Sequence, residues 1–156
     1  MPARSRLNLS ISAGSWPKLA LTLRKHIRRA HSLLESPLVE FSIALVGDSR
    51  MSALHERFMG IAGPTDVLTF PLDENAAGEV ISGEVVVCVP EARRRCNHEG
   101  TQLANEVLLY SLHGLLHLCG YDDQTSRGFN SMHAKEDEIL IQIGVGSVFK
   151  RTAAHE

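Results

Sequence analysis

The chain has 156 residues, of which 44% are apolar and 22% charged, and its formal net charge is -2. This length suits one domain with an ordinary hydrophobic core, and the composition excludes disordered and fibrous classes. With no global positive charge, any contact with nucleic acid must come from local basic patches.

Leu7 to Ser12 alternates apolar and polar residues with period two, as a half-buried strand does. Ser15 is expected to cap a helix from Trp16 to about Leu34, with Leu19, Leu23 and Ile27 among its apolar positions and Lys18, Arg24, Lys25, Arg28 and Arg29 on the other face. Val39 to Val46 reads as a second strand, and Gly47-Asp48-Ser49 as a turn and cap. Met51 to Met59 reads as a short helix closed by Gly60. A turn at Gly63-Pro64-Thr65 leads into a third strand, Asp66 to Pro71, which the proline is expected to stop.

After a polar loop from Glu74 to Gly78, Val80 to Val89 reads as a strand rich in β-branched residues. Pro90 opens a helix through Arg95 that Asn97 to Gly100 breaks, and Thr101 is expected to cap a long apolar helix running to Cys119. Ser126 opens a last amphipathic helix closed by Gly144, and residues 150–156 are expected to fray. The order βαβαββ followed by helices predicts an α/β (α+β) fold with one small mixed sheet of about four strands and some five helices. The whole chain, 1–156, reads as a single domain with its core between about 7 and 144.

Cys88, Cys96 and Cys119 are odd in number and form no C-x-x-C pair, which points to reduced thiols in a cytoplasmic protein. The longest apolar run, Leu103 to Cys119, is too short to span a bilayer, so no membrane role is expected.

The chemistry concentrates in Leu112 to Asp123, L-H-G-L-L-H-L-C-G-Y-D-D. His113 and His117, four apart on a helix, share one face. Gly120 stops the helix, and Asp122 and Asp123 follow it. The pattern H-x-x-x-H-x-x-G-x-x-D has the spacing of the long zinc-protease motif, with Asp123 in the third ligand position. We therefore expect His113, His117 and Asp123 to hold one Zn2+, or another divalent metal, through three protein ligands and one open position. Asp122 is the competing third ligand, or a partner orienting a histidine. Glu106 and Tyr110, two turns and one turn before His113, are further partners of this kind. Gly114 stands where a zinc protease keeps its catalytic glutamate, which disfavours peptide hydrolysis. A glycine inside a helix costs about 1 kcal/mol relative to alanine, so close approach by another group is expected there.

The run His113 to Asp122 resembles the signature of the YbeY family of bacterial rRNA maturation factors, which are metal-dependent single-strand endoribonucleases. Pro64 to Pro71 resembles the family's second motif and Ser82-Gly83-Glu84-Val85 its G-D-I strand. Met132 with Glu136, Ile139, Leu140 and Gly144 resembles its closing helix. The resemblance implies rRNA 3'-end processing, with the small ribosomal subunit and ribosomal proteins as partners. It also gives the basic clusters Arg24, Lys25, Arg28, Arg29 and Arg93, Arg94, Arg95 an expected role in tracking RNA phosphates. Two positions depart from the family pattern: Asp123 replaces a third histidine, and Met59 stands where an arginine is usual. A non-catalytic ribosome assembly factor that keeps the fold and metal site is the alternative reading, and a metal-dependent hydrolase of another substrate is the third.

Overall fold

The computed structural model describes residues 6–146; the expected fraying of 150–156 lies outside them. Four strands, β1 (Asn8–Ser12), β2 (Glu40–Val46), β3 (Val67–Glu74) and β4 (Val80–Cys88), form one mixed sheet in the order β1-β2-β4-β3. β1 and β2 are parallel, β2 and β4 are parallel, and β3 runs antiparallel to β4. Five helices complete the described residues: α1 (Pro17–Ser32), α2 (Asp48–Met59), α3 (Val89–Glu99), α4 (Leu103–Leu118) and α5 (Ser126–Gln142). The α+β class, the mixed four-stranded sheet and the five helices agree with the sequence. No described helix is long and apolar enough to cross a membrane.

Period-two alternation sorts the strand residues between two faces. Leu9, Phe41, Ile43, Leu45, Val85 and Val87 turn to one side, where α1, α4 and α5 bury them in the main core. Leu68, Val86 and Cys88 turn to the other and pack with Met51 of α2. α4 is apolar nearly all round because α1, α3, α5 and the sheet surround it. Two glycines set how closely it lies on the sheet. A Cβ on Gly114 would stand 2.5 Å from Val85 Cγ2 and 2.9 Å from Thr69 Oγ1, and one on Gly83 would meet Leu118 Cδ1 at 2.5 Å. The close approach expected at Gly114 is therefore that of β3 and β4.

Several boundaries differ from expectation. β3 continues through Pro71 to Glu74, because β3 is an edge strand and a proline there forfeits no ladder bond on its outer side; its register against β4 shifts between Pro71 and Asp73. α1 starts at Pro17, which needs no N–H partner in a first turn, and Ser15 does not cap it. α3 runs on through Asn97 and His98, since Ala92 and Cys96 bury a continuous face, and it ends at Gly100. Gln102, not Thr101, caps α4, and the Thr101 hydroxyl donates instead to Glu106. The N-cap of α5 is Thr125, whose Oγ1 accepts from the Gly128 N–H at 2.9 Å.

Candidate metal centre

The last two turns of α4 carry both histidines on the side facing β3 and the start of α5. Gly120, at φ 99°, then folds the chain back. This return brings the Tyr121 carbonyl to 3.1 Å from His117 Nδ1 and places Asp123 beside both rings. His113 and His117 meet edge to face with centroids 4.6 Å apart, and their Nε2 atoms stand 3.1 Å from each other. Asp123 Oδ2 lies 3.4 Å from His113 Nε2 and 3.6 Å from His117 Nε2.

The tautomers follow from the other ring atoms. His113 Nδ1 faces Glu136 Oε1 at 2.9 Å and His117 Nδ1 faces a backbone carbonyl, both acceptors, so each Nδ1 carries the hydrogen. Each Nε2 then offers a lone pair, and a carboxylate oxygen joins them. Three acceptors converge with no donor among them, an arrangement that a cation satisfies. Ligand atoms around a tetrahedral metal with bonds of about 2.0–2.1 Å stand about 3.3–3.4 Å apart. The triangle of 3.1, 3.4 and 3.6 Å fits that shape, with its fourth side toward a cleft. Electrostatics agree: burial pulls the His113 pKa down, yet the Glu136 hydrogen bond and the charges of Glu136, Asp123 and Asp66 raise it overall. The site favours positive charge at this point.

The cleft holds about 550 Å³ between β3, the end of α2 and the two histidines. Asp66, Thr69, Pro71 and Gln124 line it, and so does Met59, which is 59% exposed. None of the described lining residues is lysine or arginine.

His113, His117 and Asp123 thus come together, and the remaining expected residues lie elsewhere. Asp122 Oδ1 accepts from the Gln124 N–H at 3.0 Å and shapes the turn. Glu106 is buried on Thr101, and Tyr110 is buried in the core. The Nδ1 partners expected from that group are Glu136 and the Tyr121 carbonyl instead. Cys119 donates to Ser36 and takes no part in the histidine cluster.

No member of either basic cluster lines the cleft. Arg24 and Arg28 donate to the Leu9 and Leu7 carbonyls at 3.0 and 2.9 Å, satisfying the open edge of β1. Arg94 binds both oxygens of Asp48, at 2.7 and 3.0 Å, and also Glu91, tying α3 to α2; its guanidinium holds the Asp48 carboxyl below the usual carboxylate range. Arg95 lies 3.8 Å from Glu99. Lys25, Arg29 and Arg93 are exposed.

Sequence reasoning missed Glu136 and His133 as neighbours of the site. The available signal was their i, i+3 spacing on the amphipathic face of α5, which puts an imidazole and a carboxylate side by side.

Comparison with known proteins finds similarity along most of the chain. The family model described as Endoribonuclease YbeY matches residues 8–144. The endoribonuclease YbeY of Acidothermus cellulolyticus is 39% identical over 115 residues, covering 67% of this chain and 70% of that protein. The protein of the same name from Geobacillus thermodenitrificans is 31% identical over 134 residues, covering 80% and 86%. Among solved structures, the solution structure of TM1509 from Thermotoga maritima superposes with a TM-score of 0.60 at 25% identity, over 87% of this chain and 90% of that one.

Proposed function

This chain belongs to the endoribonuclease YbeY family, and on that premise we propose that it is a zinc-dependent single-strand endoribonuclease of rRNA 3'-end processing, ribosome maturation and quality control. The observation that carries the reading is the convergence of His113 Nε2, His117 Nε2 and Asp123 Oδ2 beside an open cleft. Two nitrogens and one carboxylate oxygen suit zinc, and the same set also suits Fe(II). When bound, the metal supplies Lewis-acid polarisation of a phosphodiester.

The chain's own residues do the rest. His113 and His117 hold their Nε2 lone pairs toward one point, each ring oriented through its Nδ1–H. Asp123 brings one negative charge, leaving a divalent cation with its ligands near +1. Asp66 lines the cleft and no described cation does, so a phosphate is drawn in by the centre's positive charge and not by the walls. The rRNA substrate, association with the small subunit and ribosomal proteins, and a cytoplasmic location belong to the same proposal. Of the two basic clusters, the members exposed for contact with the RNA backbone outside the cleft are Lys25, Arg29 and Arg93.

The test is metal content together with cleavage of a single-stranded RNA. The purified protein should carry about one metal per chain. Chelation should abolish cleavage and zinc restore it, whereas His117→Ala should retain neither metal nor activity. A metal-free wild type whose behaviour His117→Ala leaves unchanged sinks the reading.

One observation favours the second reading, a non-catalytic assembly factor that keeps the metal. Met59 lines the cleft where the family pattern carries an arginine, and a thioether cannot stabilise charge developing on a phosphate. If the wild type binds metal stoichiometrically and cuts no single-stranded RNA, while Met59→Arg gains cleavage, the second reading replaces the first.

A further inference from the structure

Behind His113, away from the cleft, lies a side-chain pair of which the chemistry above uses only the Glu136 hydrogen bond to His113. Glu136 is 1% exposed, and its Oε1 stands 2.9 Å from His113 Nδ1 and 3.3 Å from His133 Nδ1. The His133 ring lies nearly parallel to that of His113, at 19° with centroids 5.8 Å apart, and the Phe129 ring meets it edge to face with centroids 4.2 Å apart. Glu136 Oε2 is buried and has no hydrogen-bond partner among the described residues.

We propose that Glu136, steadied by His133, is the positioning residue for the metal ligand His113, so that the site is a His133–Glu136–His113 chain ending at the metal. The proposal rests on the metal reading above. A neutral imidazole carries its hydrogen on either nitrogen, and it coordinates through Nε2 only when Nδ1 holds it. For His117 the acceptor that enforces this is a backbone carbonyl, which no side-chain change removes. For His113 it is the Glu136 carboxylate, so one side chain selects the tautomer of one ligand. The carboxylate does more than a carbonyl. Its negative charge adds to that of Asp123, and together they match a divalent cation.

His133 supplies restraint. The terminal torsion of a glutamate is broad, with two equivalent orientations of its oxygens. A contact at 3.3 Å on the same oxygen, from a ring packed against both Phe129 and His113, holds Oε1 toward His113. Without it the carboxyl can turn and present Oε2 instead.

Competition titration of the full chain with zinc against a chromophoric chelator tests this, read alongside the visible absorption of the cobalt-substituted protein. Glu136→Gln keeps shape and a carbonyl acceptor but removes the charge, and it should weaken zinc binding about 10- to 100-fold and alter the cobalt bands. His133→Leu leaves Glu136 in place and should weaken binding only a few-fold. That variant decides the matter if circular dichroism shows that Glu136→Gln does not fold. Wild-type affinity and wild-type cobalt bands in the folded variants overturn the proposal. His117→Ala separates the two failures: if it binds zinc as tightly as wild type, the metal reading is at fault, and if it alone loses zinc, only the role of Glu136 is.

Discussion

Glu106 and Glu136 lie against helix α4, one in its first turn and one beside its C-terminal half, and the same side chain behaves in opposite ways at the two places. Both are essentially buried, at 0% and 1% exposure, and each has one oxygen engaged and one without a hydrogen-bond partner among the described residues. Burial, with a smaller push from the Glu99 charge, raises the Glu106 pKa, and the Thr101 hydroxyl and the Arg95 charge offset this only in part. Burial also pushes up that of Glu136, but the His113 hydrogen bond, the close His133 ring and the charges of both imidazoles bring it down overall. Depth alone therefore does not decide whether a buried carboxyl is kept ionised. The groups facing it decide: Glu106 has a hydroxyl dipole and opposed charges from Arg95 and Glu99, whereas Glu136 faces two imidazoles that can both carry positive charge.

Removing the donor at each place is the strongest way to break this comparison. In the metal-free chain, His113→Ala strips a carboxylate of its main partner and should cost about 3 kcal/mol, the lower end for breaking a buried ionic pair. Thr101→Ala strips a carboxyl that is readily protonated and should cost about 1 kcal/mol, as for a neutral hydrogen bond. Chemical denaturation with chelator present measures both, and equal losses would mean that the two sites are alike.

A middle-sized effect comes from the residue that holds α4 against the sheet. Gly114→Ala puts a methyl 2.5 Å from Val85 Cγ2 and 2.9 Å from Thr69 Oγ1, in the interval between the two glutamates and one residue from His113. Overpacking of this kind should cost about 2 kcal/mol. It should also weaken zinc binding, since the shift falls on the ligand-bearing turn. The Glu106 end, two turns away, should keep its titration. A variant as stable as wild type would show that α4 does not rest on β4 as described.

How much of this was legible in the sequence depends on how far apart the interacting residues lie. His113 and His117 are one turn apart on one helix, so periodicity alone pairs them, and Asp123 follows after a helix-stopping glycine. Glu136 is 23 residues from His113 and on another helix; nothing local announces the pairing. The strands were legible because alternation reports a half-buried face. The passage of β3 through Pro71 was not, because tolerance of a proline depends on being at the sheet's edge, and strand order is a property of the whole fold. Arg24 and Arg28 illustrate the same limit. A basic helix face suggests a polyanion until the neighbouring strand is known to be an edge whose carbonyls need donors.

The smallest expected effect has the most informative sign. A carboxyl whose folded pKa is raised binds its proton more tightly folded than unfolded, so the unfolded state loses its proton first as pH climbs. Glu106 should thus contribute nothing below the ordinary carboxylate range and progressively destabilise the chain from about pH 4.3 upward. Glu106→Gln, which keeps an acceptor for Thr101 and cannot ionise, should be more stable than wild type at neutral pH by about 1 kcal/mol, a few degrees in Tm, with the gap closing toward pH 3. Glu136 runs the other way. Its lowered pKa contributes stability above the ordinary range that is lost as pH falls through the folded value, so Glu136→Gln should be less stable than wild type at neutral pH, and again converge in acid. Melting curves of the three metal-free proteins from pH 3 to 8 should therefore open like a fan around wild type. If both variants fall on the same side at neutral pH, the donor does not set the sign, and burial or packing around α4 must do so instead.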